Sequence, residues 1–443
     1  MYYYSSPQSR LQPLQKSHFI YYIHSTTVYL YKNKKMEQFF LNKSEKKNLY
    51  LFRFDYLIFI KYIIYKIIGL SPWSLNIHKV SNKNHRINND KNNIFDISYA
   101  GTFYNILLII LINSLNIYSF GSFFPVQVDT VLTPTIMNII NFVLVLSVTA
   151  IMTIYVTRQS IIINVMNKLI RVEENLKNCG YYKAESYLTI YLMIIFNFLL
   201  TTGMLATGIY KYSLLGVFIK LLPIIISSWV LIQYSTFLYI INKKFESVNT
   251  TISNFGKMKN SSQLQPIFMT KTGLLTESVY HEIENLKFVY GELCDICQNI
   301  EDFYGLPALI AIVKFGETII RSSYYILVSL DYSVPDKLLA YVISGIGIVW
   351  TSLILMILTT FVVRTIKQSQ KTANIINRLM DRCTMDPKIK EQLAKFSSDL
   401  LHLKVGFTAC DIVPLDRTLV AMISGTVATY LIIFIQFRTS APN

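Results

Sequence analysis

Seven long apolar segments interrupt this sequence, and they constrain its fold more than any other feature. An α-helix rises about 1.5 Å per residue, so roughly 20 apolar residues cross the hydrocarbon core of a membrane. The chain of 443 residues is 52% hydrophobic and 15% charged, which is outside the usual range of soluble globular proteins. The sequence therefore predicts an all-α membrane protein with seven transmembrane helices, at 97–120, 132–156, 187–210, 218–241, 304–330, 338–363 and 417–437.

The distribution of Lys and Arg predicts the orientation of these spans. Of the 42 such residues, 36 lie before span one, in the loops after spans two, four and six, or at Arg417 where span seven begins, whereas 3 lie on the opposite side. Because positively charged loops stay in the cytosol, we expect a cytosolic N-terminus and an extracellular C-terminus, the reverse of a G-protein-coupled receptor. The net charge of +16 follows from this bias. Without a basic stripe beside exposed aromatic residues, we expect no nucleic-acid partner.

The segments between the spans divide the chain into parts. Residues 1–35 show no periodic pattern and are interpreted as disordered or as a gene-model extension. Apolar residues recur at helical spacing from Leu275 to Ile300, which predicts that span five continues below the membrane after a polar, flexible stretch. The predicted parts are a cytosolic N-terminal region (1–96), a sensing bundle (97–363, including the cytosolic loop 242–303), cytosolic anchor helices (364–416), a pore-lining helix (417–437) and an extracellular tail (438–443).

Two cytosolic segments carry opposite charge. The helical segment before span five has an acidic polar face, and the segment after span six has a basic one, with Arg364, Lys367, Lys371, Arg378 and Arg382 on one helical pattern. These helices either pack together as one cytosolic layer or remain two separately solvated faces.

Span five contains three charged residues at helical spacing, Lys314, Glu317 and Arg321. Charges inside a membrane are rare, and they usually pair or line a cavity. Glu317 lies three and four residues from the two basic residues and can reach either of them. The triad is therefore either a self-neutralised structural group or a site in which Arg321 is left to bind a polar ligand entering from outside.

Aromatic residues in spans five and six complete the predicted ligand site. Tyr324, Tyr341 and Trp350 join Glu317 and Arg321 as candidates for binding a small molecule in the outer half of the bundle. An aromatic ring beside a polar cavity can stack on a flat ligand or a sugar face, although Trp inside a helical bundle also serves as a packing residue.

Signatures of catalysis are missing from the sequence. His281-Glu282 lacks the second His of a zinc-protease motif, and there is no nucleophile elbow, phosphate-binding loop or dinucleotide-binding run. All six His residues lie outside the spans, and Cys294 and Cys297 have no second pair. We expect neither enzyme activity, nor a metal site, nor a cofactor.

The last span ends in a distinctive pattern. Thr429-Tyr430 is followed by five apolar residues and then by Gln436-Phe437, and the segment before the span reads Phe407-Thr408-Ala409-Cys410, then Asp416-Arg417. This pattern resembles the signature of the insect gustatory receptor family. The resemblance implies that Gln436 contacts ions, that Phe437 forms the gate, and that Thr429 and Tyr430 couple this helix to the sensing bundle.

The same resemblance implies a function. Proteins of this family are tetrameric ligand-gated cation channels in the plasma membrane of sensory neurons, in dendrite, axon or soma. The expected partners are a small-molecule tastant, the lipid bilayer and further receptor subunits, in a homotetramer or a heteromer. Similar sugar receptors often carry an acidic residue after the Thr-Tyr pair, whereas residue 431 is Leu.

The alternatives are an odorant-type channel of the same superfamily and a G-protein-coupled chemoreceptor. A transporter is disfavoured because no inverted repeat is visible in the sequence.

Overall fold

The computed structural model describes residues 62–75, 94–122, 132–177, 179, 188–211, 214–255, 273–331, 337–382 and 387–440. The chain divides into two units, Met1–Ile64 and Tyr65–Asn443, and the architecture given below is that of the second unit. The expectation for residues 1–35 lies outside the described residues.

Helices dominate the described part of the chain. Residues 94–440 include nine helices of 14 residues or more: α1 Tyr99–Ser122, α2 Leu132–Thr157, α3 Gln159–Lys177, α4 Leu188–Lys211, α5 Leu214–Phe255, α6 Gly273–Asp331, α7 Lys337–Arg382, α8 Pro387–Leu400 and α9 Arg417–Ser440. The described residues also include two antiparallel strand pairs: β1 Ser74–Leu75 with β2 Phe95–Asp96, and β3 Thr408–Ala409 with β4 Val413–Pro414. The predicted all-α class is confirmed.

Six helices in the described ranges are long and apolar enough to cross a membrane. They are the spans of α1, α4, α5, α6, α7 and α9. A seventh is counted if α2 and α3, which bend by 59° at Arg158, are taken as one broken span. Five of the seven predicted spans fall within a helix, and spans one and three begin two residues and one residue before α1 and α4. α9 continues three residues beyond the predicted end at residue 437.

The core of the bundle is formed by α5, α6 and α7, which pack on one another along much of their length. These are the three longest described helices, with 42, 59 and 46 residues. Each extends well beyond the thickness of a bilayer. We call the end formed by the second half of α7, the first half of α6, and α8 the base of the bundle.

The start of the predicted loop 242–303 is helical, not flexible. α5 continues without interruption to Phe255 because its polar residues bond to α7. Asn249 donates to the carbonyl of Gln368 at 2.8 Å, and Thr372 donates its hydroxyl to Asn249 Oδ1 at 2.8 Å. These partners lie more than 100 residues away, so the local sequence could not reveal them. The prediction of a helix from residue 275 is confirmed, since α6 begins at Gly273.

The helices of the base pack as one layer. Ile389, Leu393, Phe396 and Leu400 of α8 are buried, and Tyr290 of α6 contacts Phe396. The acidic face of α6 pairs with α3 instead of α7, because Lys168 lies 3.3 Å from Asp295, and Lys287 of α6 pairs with Asp399 of α8. The basic residues Arg364, Lys367, Lys371 and Arg378 of α7 are exposed. Apolar packing, not attraction between α6 and α7, therefore holds this layer together.

Candidate functional site

One stripe of α9 packs on the rest of the chain, and two of the four motif residues, Thr429 and Gln436, lie on the opposite stripe. Val420, Val427 and Leu431 are half-buried and lie within 40° of one another around the helix axis, at 100° per residue. Gln436 is nine residues from Val427, which places it about 180° away. Thr429 is on the same outward stripe, since it precedes Gln436 by seven residues. Thr429 and Gln436 therefore face away from the bundle of their own chain.

The four motif residues are placed as follows. Gln436 and Thr429 are exposed, and the Thr429 hydroxyl donates to the carbonyl of Gly425 at 3.0 Å. Tyr430 is 48% exposed. Phe437 lies within α9, but its side chain is outside the described part of the structure. Only 6% of the spanning window Arg417–Gln436 is buried within the protein, so this apolar helix presents most of its surface to lipid or to other chains.

The start of α9 is fixed by a capping residue. Oδ1 of Asp416 accepts the backbone N–H of Thr418 at 2.8 Å and its hydroxyl at 2.6 Å. These two hydrogen bonds hold the pKa of the Asp416 carboxyl below its usual value, because they favour the ionised form. A negative charge at a helix N-terminus also interacts favourably with the helix dipole. This cap sets the residue at which the helix begins.

The charged triad of α6 is paired internally. Oε2 of Glu317 lies 2.7 Å from Lys314 Nζ, and Oε1 of Glu317 lies 3.2 Å from Arg321 Nε. Lys314 is 1% exposed, whereas Arg321 is 37% exposed at the rim. In the structure Glu317 pairs with both basic residues, and ligand binding by the partly exposed Arg321 stays a prediction. The reason for the pairing is geometric, since both basic residues lie within one helical turn of Glu317.

Trp350 is a buried linking residue of α7. It is fully buried, and its indole N–H donates to Oδ1 of Asn197 in α4 at 3.0 Å. This bond satisfies a polar group that would be costly inside a membrane. Tyr341, nine residues earlier in α7, is half-buried. The structure therefore places Trp350 in the packing between helices and leaves Tyr341 partly accessible.

Tyr324 contacts the last helix directly. Its ring centroid lies 5.1 Å from that of Phe434 in α9, two residues before Gln436. Glu317, Arg321 and Tyr324 are spaced by four and three residues and share one face of α6. Sequence reasoning selected Tyr324 as a ligand residue but missed this contact. Phe434 is one apolar residue among many, and no local signal marks its distant partner.

A groove of about 540 Å³ lies at the base of the bundle, between α6 and α8. Its walls carry Glu284, Glu292, Asp295 and Asp399 beside Lys287 and Lys395. Within the described residues, no three His, Cys, Asp or Glu side chains come together as a metal site would require. The groove is far along the sequence from the predicted ligand residues, none of which lines it.

This helical arrangement, with several apolar spans and an exposed last helix carrying polar groups, defines a multi-pass membrane protein. The family model described as "7tm Chemosensory receptor" matches residues 58–440. The chain therefore belongs to the 7tm chemosensory receptor family, which confirms the resemblance to insect gustatory receptors. This is a family of receptors and not of enzymes, in agreement with the missing catalytic signatures.

The chain is similar to gustatory receptors of Drosophila melanogaster. It is 33% identical to putative gustatory receptor 28a over 173 residues, which are 38% of each chain. It is 25% identical to putative gustatory receptor 28b over 226 residues, 47% of this chain and 48% of the relative. These matched segments span less than half of either relative.

The fold is similar to that of a solved receptor. The insect olfactory receptor OR5 from Machilis hrabei has a TM-score of 0.56 at 10% identity, covering 87% of this chain and 99% of the other. The same receptor in complex with eugenol has a TM-score of 0.55, covering 85% and 96%. At this identity, the likeness concerns the fold.

Proposed function

We propose that this protein is a gustatory receptor that works as a ligand-gated, non-selective cation channel. Seven spans, with the N-terminus in the cytosol and the C-terminus outside, place Gln436 near the extracellular end of α9. The observation that carries the proposal is the exposure of this helix: 6% of its spanning window is buried, and Gln436 lies on the stripe facing away from its own bundle. A polar amide at that depth is stabilised where it meets water or another amide.

Four copies of α9 around an axis would turn their outward stripes, with Gln436, toward a shared water-filled path. The copies of Gln436 then form a polar ring, and those of Phe437 form a hydrophobic constriction that closes by excluding water. An amide ring carries no formal charge, so the ring itself selects weakly among cations. The assembly is a homotetramer or a heteromer with related subunits in the plasma membrane of a sensory neuron.

The tastant binds in the outer half of the bundle, where Tyr341 and the rim residues Arg321 and Tyr324 are partly accessible. A ligand opens the channel by binding the open form more tightly than the closed form. The ring contact between Tyr324 and Phe434 supplies a direct connection from this region to α9. Thr429 and Tyr430 contribute to the same coupling through their places on the helix.

Substitution of the motif tests the gate. Gln436→Ala and Phe437→Ala are expected to change cation permeability or to produce ligand-independent current in expressing cells. Ile435→Ala is the matched control, since Ile435 is exposed at the same depth but lies about 100° from Gln436 around the helix. Currents equal to wild type in both motif variants would remove the gate assignment.

A tag after Asn443 tests the orientation. Antibody staining of intact, unpermeabilised cells is expected, because the C-terminus is proposed to be extracellular. Staining that requires permeabilisation would instead support a G-protein-coupled chemoreceptor.

The similar fold of the olfactory receptor favours one alternative, an odorant-type channel. Calcium imaging with matched panels of tastants and volatile odorants separates the two ligand classes.

A further inference from the structure

One turn of α6, residues 301–305, is held by three other parts of the chain. The guanidinium of Arg158, at the bend between α2 and α3, donates to the carbonyl of Asp302 at 3.0 Å. Tyr304 stacks on Tyr234 of α5, with ring centroids 4.7 Å apart and planes 3° from parallel. The third part is the β3–β4 hairpin that precedes α9. We call residues 301–305 the coupling turn.

The hairpin is a tight and well-defined unit. Cys410 and Asp411 both have positive φ, 55° and 57°, and Ile412 donates its N–H to the carbonyl of Ala409 at 3.2 Å. This is the geometry of a type I′ turn, whose twist matches that of paired strands. Asp416, the cap of α9, follows two residues after β4. The hairpin and the start of the last helix therefore move together.

Glu301 binds the hairpin through a single carboxylate oxygen. Its Oε1 accepts the backbone N–H of Thr408 at 2.8 Å and the Thr408 hydroxyl at 2.7 Å. Hydrogen bonds to an ionised carboxylate are stronger than those between neutral groups. One turn later the two backbones approach closely, because a Cβ on Gly305 would lie 3.2 Å from the nitrogen of Cys410. The hairpin is thus held on the coupling turn by hydrogen bonds to the Glu301 carboxylate and by close backbone packing at Gly305.

We propose that Glu301 is a positioning residue for gating, which couples movement of α6 to the start of α9. The inference rests on the proposed channel function. α6 carries Glu317, Arg321 and Tyr324 in its outer half and the coupling turn at its inner half. Ligand-induced movement of α6 reaches the hairpin through the Glu301 carboxylate, and the hairpin carries it to the capped start of α9.

Pro307 follows the coupling turn and weakens the α6 helix beside it. Proline has no N–H and so cannot bond to the carbonyl four residues before it, which weakens the helix locally. The coupling turn lies directly before this weak point. A change in the bend of α6 at Pro307 would therefore move the coupling turn, and with it the hairpin that Glu301 holds.

The electrical test compares variants at the contact. Glu301→Ala is expected to raise the ligand concentration for half-maximal current about 10-fold, the typical size of a coupling between sites. Thr408→Val should give a smaller rise, because the backbone N–H of residue 408 can still bond to Glu301, and the double variant should fall short of the sum of the two effects, because both single variants remove the hydroxyl–carboxylate bond. Thr408→Ser keeps the hydroxyl and should restore wild-type sensitivity. Glu284→Gln, an exposed acid elsewhere on α6, is the control.

A structural role alone would give a different result. If Glu301 only stabilised the fold, Glu301→Ala would lower surface expression and maximal current while leaving the half-maximal concentration unchanged. That outcome overturns the proposal. Additive effects of Glu301→Ala and Thr408→Val would overturn it as well, since they would show that the two side chains act separately.

Hydrogen–deuterium exchange separates this inference from the channel proposal. In the purified full-length protein, the Thr408 amide should exchange faster in Glu301→Ala than in wild type, whereas the core of α5 should not change. Unchanged exchange at Thr408 would overturn the contact itself. If wild type passes no current with any ligand, the channel function fails and with it the gating role, even where the exchange data confirm the contact.

Discussion

Two helices of similar apolar character have opposite surroundings in this protein. In α5, 94% of the spanning window is buried within the chain, whereas in α9 only 6% is buried. Buried α5 carries polar and aromatic residues, among them Trp229, Gln233 and Asn249, which bond or pack against neighbours. Hydropathy therefore identifies the candidate membrane spans but not which of them form the core.

The difference assigns distinct roles to the two helices. α5 is held by the side chains around it, so its sequence is constrained by packing inside one chain. α9 is held at its start, through the hairpin and the Asp416 cap, and must find cover for the rest of its surface in lipid or in other chains. This is the arrangement expected of a helix that lines a shared axis.

The largest expected effect contrasts a core residue with an exposed one. Trp229→Ala removes a fully packed ring that contacts Tyr65, and we expect a loss of about 4 kcal/mol in stability from the cavity. Ile432→Ala on α9, where Ile432 is 56% exposed, should change the stability of a single chain by less than about 1 kcal/mol. Thermal unfolding of the purified proteins measures both. Equal losses of stability in the two variants would contradict the difference in burial between α5 and α9.

A second test addresses the buried charge of α6. Glu317→Gln leaves Lys314 buried without its carboxylate, and the expected cost is on the order of 3 kcal/mol. Combining it with Lys314→Met removes both charges and should recover much of this stability. Ligand dose–response curves of the double variant then show whether Glu317 has a binding role. A single variant as stable as wild type would contradict the buried pair.

A third test concerns the cap of α9. Asp416→Ala is expected to cost about 1 kcal/mol, whereas Asp416→Asn retains an acceptor for Thr418 and should cost less. Because folding lowers the pKa of Asp416, its charge stabilises the fold above the ordinary carboxyl pKa and this contribution is lost only as the pH falls through the lowered value. The stability difference between wild type and Asp416→Asn should therefore stay constant from about pH 8 to pH 5. A marked change within that range would contradict the assignment.

The smallest expected effect is in the hairpin turn. Asn adopts positive φ more readily than Cys and is favoured in type I′ turns, so Cys410→Asn should stabilise the protein by about 0.5 kcal/mol. Cys410→Val, with a β-branched side chain, should destabilise it instead. Paired unfolding curves of the two variants check the sign, and a stabilising valine would show that the turn differs in solution.

The fold class and the positions of the spans followed from the sequence because apolar runs are a local property. The pairing within the α6 triad was open to the same reasoning, since residues three and four apart meet on a helix. The contacts between Tyr324 and Phe434, and between Glu301 and Thr408, join residues more than 100 positions apart. The amino acids involved are ordinary for their segments, so only the folded arrangement reveals them.

The most direct test of the central claim is access to Gln436 from outside the cell. Gln436→Cys channels are activated by ligand and then exposed to a membrane-impermeant thiol reagent, with Ile435→Cys as the control at the same depth. The account predicts that current through Gln436→Cys is blocked or changed while current through Ile435→Cys is much less affected. Unchanged current through Gln436→Cys under saturating reagent would show that α9 does not line the conduction path.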